Sequence, residues 1–248
     1  MDMLDEKARR EIVKYLDLHF PKDGRARLVT FSPERDESDC EYCIQVKELA
    51  QELASISGGR ITAEHRSLSF ARGNSDGFKV RRVPATVVTD TEGKYSMKFY
   101  GVPSGHEFAA LLEDLVDAAK SDGPQLNEET VKFLLNLNTP VHLQVFVTPS
   151  CPYCPRAVRT AHQFSMVNPK LIDAEMIESM EFPELVDRYS VMAVPKVVIN
   201  DDVQFEGALP EKIFLFKVKE AVQRENSDAG VRVAESALSN GAQEERAG

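Results

Sequence analysis

The four cysteines of the chain form two pairs, each of the form Cys-x-x-Cys. The first pair is Cys40 and Cys43, and the second is Cys151 and Cys154. If such a pair begins a helix, the unpaired backbone N–H groups and the helix dipole stabilise the thiolate of its first cysteine. That thiolate can attack a disulfide of another molecule, and the second cysteine then resolves the mixed disulfide. The spacing therefore indicates thiol–disulfide exchange.

The second half of the chain repeats the pattern of the first half, because Cys151 follows Cys40 by 111 residues and other features recur at that offset. A Val-Pro step lies 44 residues after the first cysteine of each pair, and a valine-rich stretch follows it. The recurring residues of these steps are Val83 and Pro84 in the first half, and Val194 and Pro195 in the second. This arrangement predicts a duplicated unit of about 110 residues.

Each unit predicts the same succession of helices and strands, with its cysteine pair at the start of a helix that follows a strand. In the second unit that strand is Val141–Val147 and the helix runs from Cys151 to about Val167. We expect the first unit at residues 1–121, the second at 122–223, and a disordered tail at 224–248 with a weak helical pattern over Gly230–Leu238.

The Val-Pro steps are predicted to help bind substrate. A proline that opens a strand cannot donate a hydrogen bond to the sheet. If the Val-Pro bond is cis, it can hold an exposed backbone edge beside the sulfurs, where a substrate chain adds as an extra strand. We predict that Val83, Pro84, Val194 and Pro195 bind substrate in this way. Tyr42 and Tyr153, third in each cysteine motif, are expected to line the same sites.

Composition argues against several other classes of protein. The 248 residues carry 30 basic and 40 acidic side chains, a net charge of −10, so nucleic-acid binding is not expected. The longest apolar runs, such as Val194–Ile199, are too short to span a bilayer, and we expect no membrane contact. The N-terminal residues mix both signs of charge and lack the apolar segment of a secretory signal, which favours a cytoplasmic location.

The motifs resemble those of the thioredoxin and glutaredoxin superfamily, and the duplicated form is similar to the two-unit protein disulfide oxidoreductases. The segments that carry this resemblance are Cys151-Pro-Tyr-Cys-Pro-Arg-Ala-Val158, Glu181-Phe-Pro-Glu-Leu185 and Ala193-Val-Pro-Lys-Val-Val-Ile-Asn200. The resemblance covers about residues 7–222. It implies an α/β protein of two tandem thioredoxin-like folds, each with a central mixed sheet flanked by helices.

The resemblance also implies an activity and its partners. Both cysteine pairs would be redox-active, the Val-Pro peptides at Pro84 and Pro195 would be cis, and the substrates would be protein disulfides or dithiols. No organic cofactor or metal is expected, since the electrons reside on sulfur. The electron donor is expected to be a thioredoxin reductase or glutathione, and the direction of exchange depends on the reduction potential.

The two sites are predicted to differ in reactivity. Five acidic residues surround the first pair in the sequence: Glu34, Asp36, Glu37, Asp39 and Glu41. Anions near a thiol disfavour its thiolate. Near Cys151 the sequence instead has Arg156 and Arg159 and no acid. We therefore predict that Cys151 is the principal nucleophile, with Cys154 as its resolving partner, and that the first pair is less reactive.

A proton acceptor for the resolving thiol is not evident in the sequence. Thioredoxins have a buried carboxylate six residues before the first cysteine of the pair. That position is Val145 in the second unit and Glu34 in the longer loop of the first unit. Asp173 and Glu175, after the predicted strand at Leu171–Ile172, are candidates for this role.

Three alternative interpretations remain at this stage. The four cysteines could be zinc ligands of a non-catalytic module, although 111 residues between pairs is far from the usual spacing. They could form purely structural disulfides, which an intracellular chain of this size does not need. The chain could also be a dedicated electron carrier to a peroxidase, like the N-terminal module of the alkyl hydroperoxide reductase flavoprotein. That module usually has only its second cysteine pair.

Overall fold

A computed structural model describes residues 3–34, 40–68, 77–120 and 122–244, with side chains up to residue 227. In the first half, the elements are α1 (Glu6–His19), β1 (Ala26–Pro33), α2 (Cys43–Ile56), β2 (Ile61–Leu68), β3 (Ala85–Asp90), β4 (Met97–Tyr100) and α3 (Glu107–Ala118). In the second half, they are α4 (Glu128–Leu135), β5 (Val141–Val147), α5 (Cys154–Val167), β6 (Ile172–Glu178), α6 (Pro183–Arg188), β7 (Lys196–Ile199), β8 (Val203–Glu206) and α7 (Glu211–Glu244).

The described strands form one sheet of eight strands in the order β2-β1-β3-β4-β6-β5-β7-β8. Each half contributes four neighbouring strands, and the halves join where β4 pairs in parallel with β6, Phe99 opposite Met176. The predicted mixed α/β fold is therefore confirmed, with the two small sheets fused edge to edge. This junction makes β6 an interior strand, whereas its counterpart β2 lies at the edge of the sheet.

Strand direction places both cysteine pairs at the same edge of the sheet. The pairings show that β3 and β7 run opposite to the other six strands. The carboxyl ends of β1 and β5, from which the chain leads to the cysteines, therefore meet the amino ends of β3 and β7, where the Val-Pro steps lie. Four strand spacings separate β1 from β5, about 19 Å.

Helices cover the two faces of the sheet unequally. On one face, α1, α2, α3, α5 and α7 pack against the sheet and form a single apolar core that spans both halves. This core includes Leu16, Leu53, Leu111, Phe164 and Phe214. A smaller cluster on the opposite face packs α6 and the segment before β3 against the sheet, with Phe31, Tyr100 and Phe146 at its centre. Because successive side chains of a strand point to opposite faces of the sheet, every second residue faces α2 and α5, the helices that begin at the cysteine pairs.

The last helix is longer than the sequence predicted. We expected a disordered tail at residues 224–248 with only a weak helical pattern over Gly230–Leu238, but α7 continues to Glu244. The sequence after Val222 contains no proline, and Arg224 Nη2 donates to Glu220 Oε1 at 2.6 Å, an i,i+4 pair that supports a helix. None of the helices in the described ranges has the length and apolar character needed to span a membrane.

Candidate active site

Both cysteine pairs lie at helix starts, as the spacing predicted. Cys40 precedes α2 and Cys43 is its first residue, while Cys151 precedes α5 and Cys154 is its first residue. Each pair is closed as a disulfide with a Cα–Cα distance of 5.5 Å. The first cysteine of each pair retains 8% exposure, whereas the second is 2% exposed in the first site and 0% in the second. The first cysteine of each pair is therefore the more accessible of the two.

The Val-Pro steps adopt the conformation that the resemblance implied. The Val83–Pro84 and Val194–Pro195 peptide bonds are both cis. In the second site, Cys151 Sγ lies 3.7 Å from the carbonyl oxygen of Val194. The backbone that was predicted to hold a substrate strand is thus in contact with the sulfur of Cys151.

The surface around the second site is apolar and exposed. Tyr153, within the cysteine motif, is 70% exposed, and Met192, two residues before Val194, is 89% exposed. Tyr153 neighbours the cysteines in the chain, and Met192 neighbours the Val-Pro step that contacts Cys151. This surface suits an extended peptide with apolar side chains, because large exposed apolar groups commonly mark binding surfaces.

Arg159, one of the two arginines near Cys151, does not act as the sequence suggested. Arg159 is bound by three carboxylates of α3, namely Glu113, Asp114 and Asp117. Its charge is therefore largely neutralised by the first half of the chain. The sequence showed no acid near Cys151, but the fold brings these acids beside α5.

Of the five acidic residues expected around the first site, the structure describes Glu34 and Glu41, and two further carboxyl groups come from the second half. Glu34 is exposed, whereas residues 35–39 lie outside the described ranges. A side-chain hydrogen bond with Glu41 raises the pKa of Tyr42, and the charges of Glu181 and Glu178 add to this effect. Two carboxyl groups from the end of β6 therefore act on the first site in addition to its own loop.

The predicted proton acceptors Asp173 and Glu175 are on the wrong face of the sheet. Asp173 pairs with Lys98 and Arg81, and Glu175 with Arg81, Arg82 and the Nε2 of His142, at 3.0 Å for the last. Along β6 it is the alternate residues that enter the core shared with α5: Ile172, Ala174 and Met176. Asp173 and Glu175 thus face away from α5 and tie the two halves together by ion pairs.

Strand register also corrects the position assigned to Glu34. Thr30 of β1 pairs with Thr86 of β3, two residues after the cis proline, just as Val145 of β5 pairs with Val197 of β7. Thr30 is therefore the first-unit counterpart of Val145. Glu34 comes after the end of β1, because the loop before Cys40 is longer.

A polar group lies below the start of α2. His65 on β2 stands opposite Thr30, with its Nδ1 3.0 Å from Thr30 Oγ1 and its Nε2 3.1 Å from Ser32 Oγ. Thr30 and Ser32 alternate with Leu28, which packs in the core under α2. Sequence reasoning missed His65, although a histidine in an otherwise regular strand was a signal.

Two buried carboxyl groups flank the start of α5, and sequence reasoning missed both. Glu178, 3% exposed, continues the row of Met176 towards the edge of the sheet where α5 begins. Glu107, 1% exposed, is the first residue of α3, and neither of its carboxylate oxygens has a hydrogen-bond partner among the described residues. Glu178 Oε1 is also unpartnered, while its Oε2 accepts from the Glu181 N–H at 2.8 Å.

The geometry does not favour a shared zinc site for the four cysteines. Thiolate ligands of one zinc ion lie about 2.3 Å from the metal. The two cysteine pairs instead follow strands about 19 Å apart. His142, Asp173 and Glu175 lie close enough to hold an ion, but arginine and lysine side chains already occupy these carboxylates.

Two thioredoxin-like units, each with a disulfide at a helix start beside a cis proline, define a tandem dithiol–disulfide oxidoreductase. Comparisons with known proteins agree. The family described as thioredoxin domain matches residues 141–231. A thioredoxin of Methanocaldococcus jannaschii is 37% identical over 79 residues, which are 32% of this chain and 93% of that protein. The crystal structure of a protein disulfide oxidoreductase from Aeropyrum pernix superposes with a TM-score of 0.75 and 31% identity, covering 89% of this chain and 95% of that one.

The chain belongs to the thioredoxin superfamily, as a two-unit thiol–disulfide oxidoreductase. A longer relative is an alkyl hydroperoxide reductase component of Staphylococcus epidermidis, 25% identical over 216 residues. That match covers 87% of this chain but only 38% of the relative. The chain thus spans little more than a third of that protein's length.

Proposed function

We propose that the chain exchanges disulfides with protein substrates, and that Cys151 is the principal nucleophile. The observation that carries this proposal is the position of Cys151 Sγ, 3.7 Å from the Val194 carbonyl oxygen and partly exposed. A substrate strand paired with the backbone at Val194 would bring its own sulfur to Cys151. Pro195 keeps the strand start free of competing pairing, and Tyr153 contributes apolar surface.

Exchange at this site proceeds in two steps when the pair is reduced. The Cys151 thiolate attacks one sulfur of a substrate disulfide, and the other substrate sulfur leaves with the electron pair and takes a proton. The Cys154 thiolate then attacks Cys151 Sγ in the mixed disulfide, which releases the second substrate sulfur and leaves the Cys151–Cys154 disulfide. The substrate gains two electrons and the site loses two.

The first pair is proposed to be a second, less reactive site of the same kind. Cys40 and Cys43 form a disulfide with the same Cα–Cα distance of 5.5 Å, and Val83, Pro84 and Tyr42 are the proposed substrate-binding residues of this site. Glu41 and Glu181, which raise the pKa of Tyr42 beside the pair, are proposed to disfavour the Cys40 thiolate as well, because nearby anions oppose a further negative charge. Because the strands that lead to the two sites lie about 19 Å apart, we expect electrons to pass between the sites through a carrier that visits both.

The compartment and the donor follow from the same chemistry. In the cytoplasm, the compartment that the sequence predicts, the glutathione pool keeps thiols reduced, and the chain would then act as a reductase. A thioredoxin reductase or glutathione is the proposed electron donor, and the disulfides of other proteins are the acceptors.

A second candidate function is delivery of electrons to a peroxidase. It is favoured by the match to the alkyl hydroperoxide reductase component over 87% of this chain. In that role the second pair would act as the carrier, and the first pair would be dispensable. The presence of both pairs favours protein disulfide exchange.

The test uses two variants, each with only one pair: Cys40→Ser with Cys43→Ser, and Cys151→Ser with Cys154→Ser. Each is equilibrated in glutathione redox buffers to obtain its reduction potential and is assayed for reduction of insulin disulfides. We expect insulin reduction by the variant that has only the second pair. Loss of insulin reduction in both variants would contradict the proposal, and peroxidase-coupled turnover without insulin reduction would favour the second candidate.

A further inference from the structure

The cis proline of the first site lies against two acidic residues of the second unit. The Gly101 N–H donates to the Pro84 carbonyl oxygen at 3.1 Å. Gly101 leaves no room for a side chain, since a Cβ there would lie 2.7 Å from the Cβ of Glu178 and 2.9 Å from Oε1 of Glu181. Both glutamates are therefore next to the residue that pairs with Pro84.

Glu178 and Glu181 are fixed by backbone N–H groups rather than by cations. The Val102 N–H donates to Oε1 of Glu181 at 2.7 Å, and the Glu181 N–H donates to Oε2 of Glu178 at 2.8 Å. The other oxygen of each carboxyl group is buried and has no hydrogen-bond partner within the described residues. Burial raises the pKa of Glu181 to about 7, and the charges of Glu178 and Glu41 add to this effect. A positive group brought to this surface would be attracted by both carboxyl groups.

Glu41 adds negative charge from within the cysteine motif itself. Its side chain is exposed, and its hydrogen bond with Tyr42 raises the pKa of that tyrosine. The charges of Glu181 and Glu178 act on the same tyrosine. The expected substrate-binding residue Tyr42 is thus close to carboxyl groups from both units.

Basic side chains near the first site already have partners. Arg81 and Arg82, which precede the Val-Pro step, are both bound by Glu175. Lys47, in the first turns of α2, also has a partner. Arg81 and Arg82 therefore do not neutralise the three carboxyl groups.

Exposed apolar side chains lie beside these charges. Met180, between the two glutamates in the chain, is 79% exposed, and Ile44, the second residue of α2, is 50% exposed. Lysine and arginine suit such a surface, because their methylene stems pack on apolar groups while their charged ends remain near carboxylates. The surface therefore fits a basic segment of another protein.

The second site differs in these features. At the offset of 111 residues, Pro152 takes the place of Glu41, and Arg156 takes the place of Gln45. Arg156 is exposed and forms no ion pair within the described parts of the chain. An anionic substrate therefore meets an attractive charge at the second site and repulsive charges at the first.

Resting on the proposed function of the first site, we propose that this site acts on disulfides flanked by lysine or arginine. Glu41, Glu178 and Glu181 select these substrates, because complementary charge speeds the encounter and orients the complex. The Cys40 thiolate attacks one sulfur of the substrate disulfide, and the other sulfur leaves with the electron pair and takes a proton. The Cys43 thiolate then releases the remaining sulfur, so the substrate gains two electrons and the first pair becomes a disulfide.

The experiment compares three small disulfides of similar size and different charge: cystamine is positive, 2-hydroxyethyl disulfide is neutral and 3,3′-dithiodipropionate is negative. Each reacts with the two reduced variants that have only one cysteine pair, and quenched alkylation with mass spectrometry gives the rate. The ratio of the cystamine rate to the dithiodipropionate rate does not depend on how much thiolate a site contains. Dividing the ratio of the first site by that of the second also cancels the intrinsic reactivity of the reagents.

We expect this divided ratio to be about tenfold or more at low ionic strength and about threefold or less in about 1 M salt. 2-Hydroxyethyl disulfide should lie between the two charged reagents at the first site. In the first-pair variant, Glu41→Gln and Glu181→Gln should each lower the cystamine preference about two- to threefold. Glu128→Gln, on the exposed surface of α4, is the matched control and should leave the preference unchanged.

A divided ratio near one at low ionic strength would overturn the inference, and so would an unchanged preference when Glu41→Gln and Glu181→Gln are combined. If only the first-pair variant is inert towards all three reagents, the inference fails while the proposed function stands at the second site. If both variants are inert, the proposed function itself is contradicted. Far-UV circular dichroism checks that the variants fold.

A second measurement uses peptides instead of small reagents. The variant with Cys43→Ser, Cys151→Ser and Cys154→Ser has Cys40 as its only cysteine, so it captures a substrate as a mixed disulfide. It is offered equal amounts of two disulfide-bridged peptides that differ only in having lysine or glutamate beside each cysteine. We expect capture of the lysine peptide to exceed that of the glutamate peptide about tenfold or more, and Glu181→Gln to reduce this preference. Equal capture of the two peptides would refute the assignment.

Discussion

The two Cys-x-x-Cys sites share a backbone frame but differ in what lies beneath and around them. Each first cysteine follows a strand of the same direction, each second cysteine begins a helix, and each pair lies beside a cis Val-Pro step. Below the first helix are Thr30 and His65, and near the start of the second are Glu107 and Glu178. The duplication therefore preserved geometry, while the ionisable groups diverged.

Position in the fused sheet accounts for this divergence. The strand next to the first site is β2, an edge strand, where His65 is half-buried and accessible to water. The corresponding strand of the second site is β6, which β4 covers from the other side. A carboxyl group there loses its hydration, and burial raises the pKa of Glu178 for this reason. The fusion of units thus supplies an environment that one unit alone lacks.

Replacing each nucleophile in turn should give the largest contrast between the sites. We expect Cys151→Ser to lower the rate of insulin reduction about 100-fold or more, because a serine hydroxyl is not ionised at neutral pH. Cys40→Ser should retain about half of the activity or more. A larger loss with Cys40→Ser would reverse the assignment of the principal site.

Protein stability should depend on pH through Glu107. Burial raises the pKa of Glu107 from 4.5 to about 8, so the folded state binds a proton that the unfolded state releases between these values. The free energy of unfolding therefore falls as the pH rises from about 4.5 to 8, by at most about 5 kcal/mol at about 1.4 kcal/mol per pKa unit. Urea denaturation of the disulfide form at pH 5 and pH 9 measures this loss.

Glu107→Gln should remove most of that loss, since an amide does not ionise. The control is Glu128→Gln on the exposed surface of α4, which should leave the pH dependence unchanged. Equal pH dependence in the parent protein and in Glu107→Gln would show that Glu107 is not the group responsible. Glu181, whose pKa burial raises to about 7, would then be the next group to replace.

The second site should also depend on the ion pairs that fix α5 to the first unit. Arg159→Met removes the cation shared by Asp114 and Asp117, which are buried. Breaking a buried charge network by removing one partner costs about 3–5 kcal/mol, and urea denaturation at pH 7 should show a loss of this size.

The control is Arg60→Met in the first unit, where the ion-pair partner of Arg60 is the exposed Asp17 and its Nε donates to the Ser57 carbonyl oxygen. Because a surface ion pair contributes little, the loss should be no more than about 1 kcal/mol. Similar losses in both variants would mean that the first unit does not stabilise α5 more than a surface pair does.

Much of the fold could be read from the sequence because its signals were local or repeated. The recurrence of the cysteine motif and of Val83–Pro84 at Val194–Pro195 predicted the units, and the resemblance implied the cis peptides. The buried ionisable groups near the two sites could not be identified in this way. Asp173 and Glu175 were selected without knowing which face of β6 covers α5, and a shift of one residue reverses the face.

Glu107 was missed for a different reason. It lies 47 residues before Cys154 in the chain and reaches the second site only through the packing of α3 on α5. One signal was present: Glu107 and Asp114 are seven residues apart, on a helical stripe that continues into apolar residues of α3. Acidic residues on the buried face of a helix indicate contacts with polar groups from other parts of the chain, but the sequence does not show which groups these are.

The smallest expected effect concerns the charge inside each cysteine motif. Glu41→Gln should lower the pKa of Cys40 by about half a unit, because two charges about 6 Å apart in water interact by about 0.7 kcal/mol. Pro152→Glu is the matched change in the second site and should raise the pKa of Cys151 by a similar amount. The rate of alkylation by iodoacetamide as a function of pH, in variants with one cysteine pair, measures both.

The outcome distinguishes two sources of the negative charge that acts on Cys40. If Glu41→Gln leaves the pKa of Cys40 unchanged while Glu181→Gln lowers it, the negative charge that raises the pKa of Cys40 comes from the second unit. The two units would then be coupled in both directions, with carboxyl groups of the first acting on α5 and those of the second acting on Cys40. If instead Glu41→Gln accounts for the shift, only the second site depends on its neighbour, and the first could be transferred to a single unit with its reactivity unchanged.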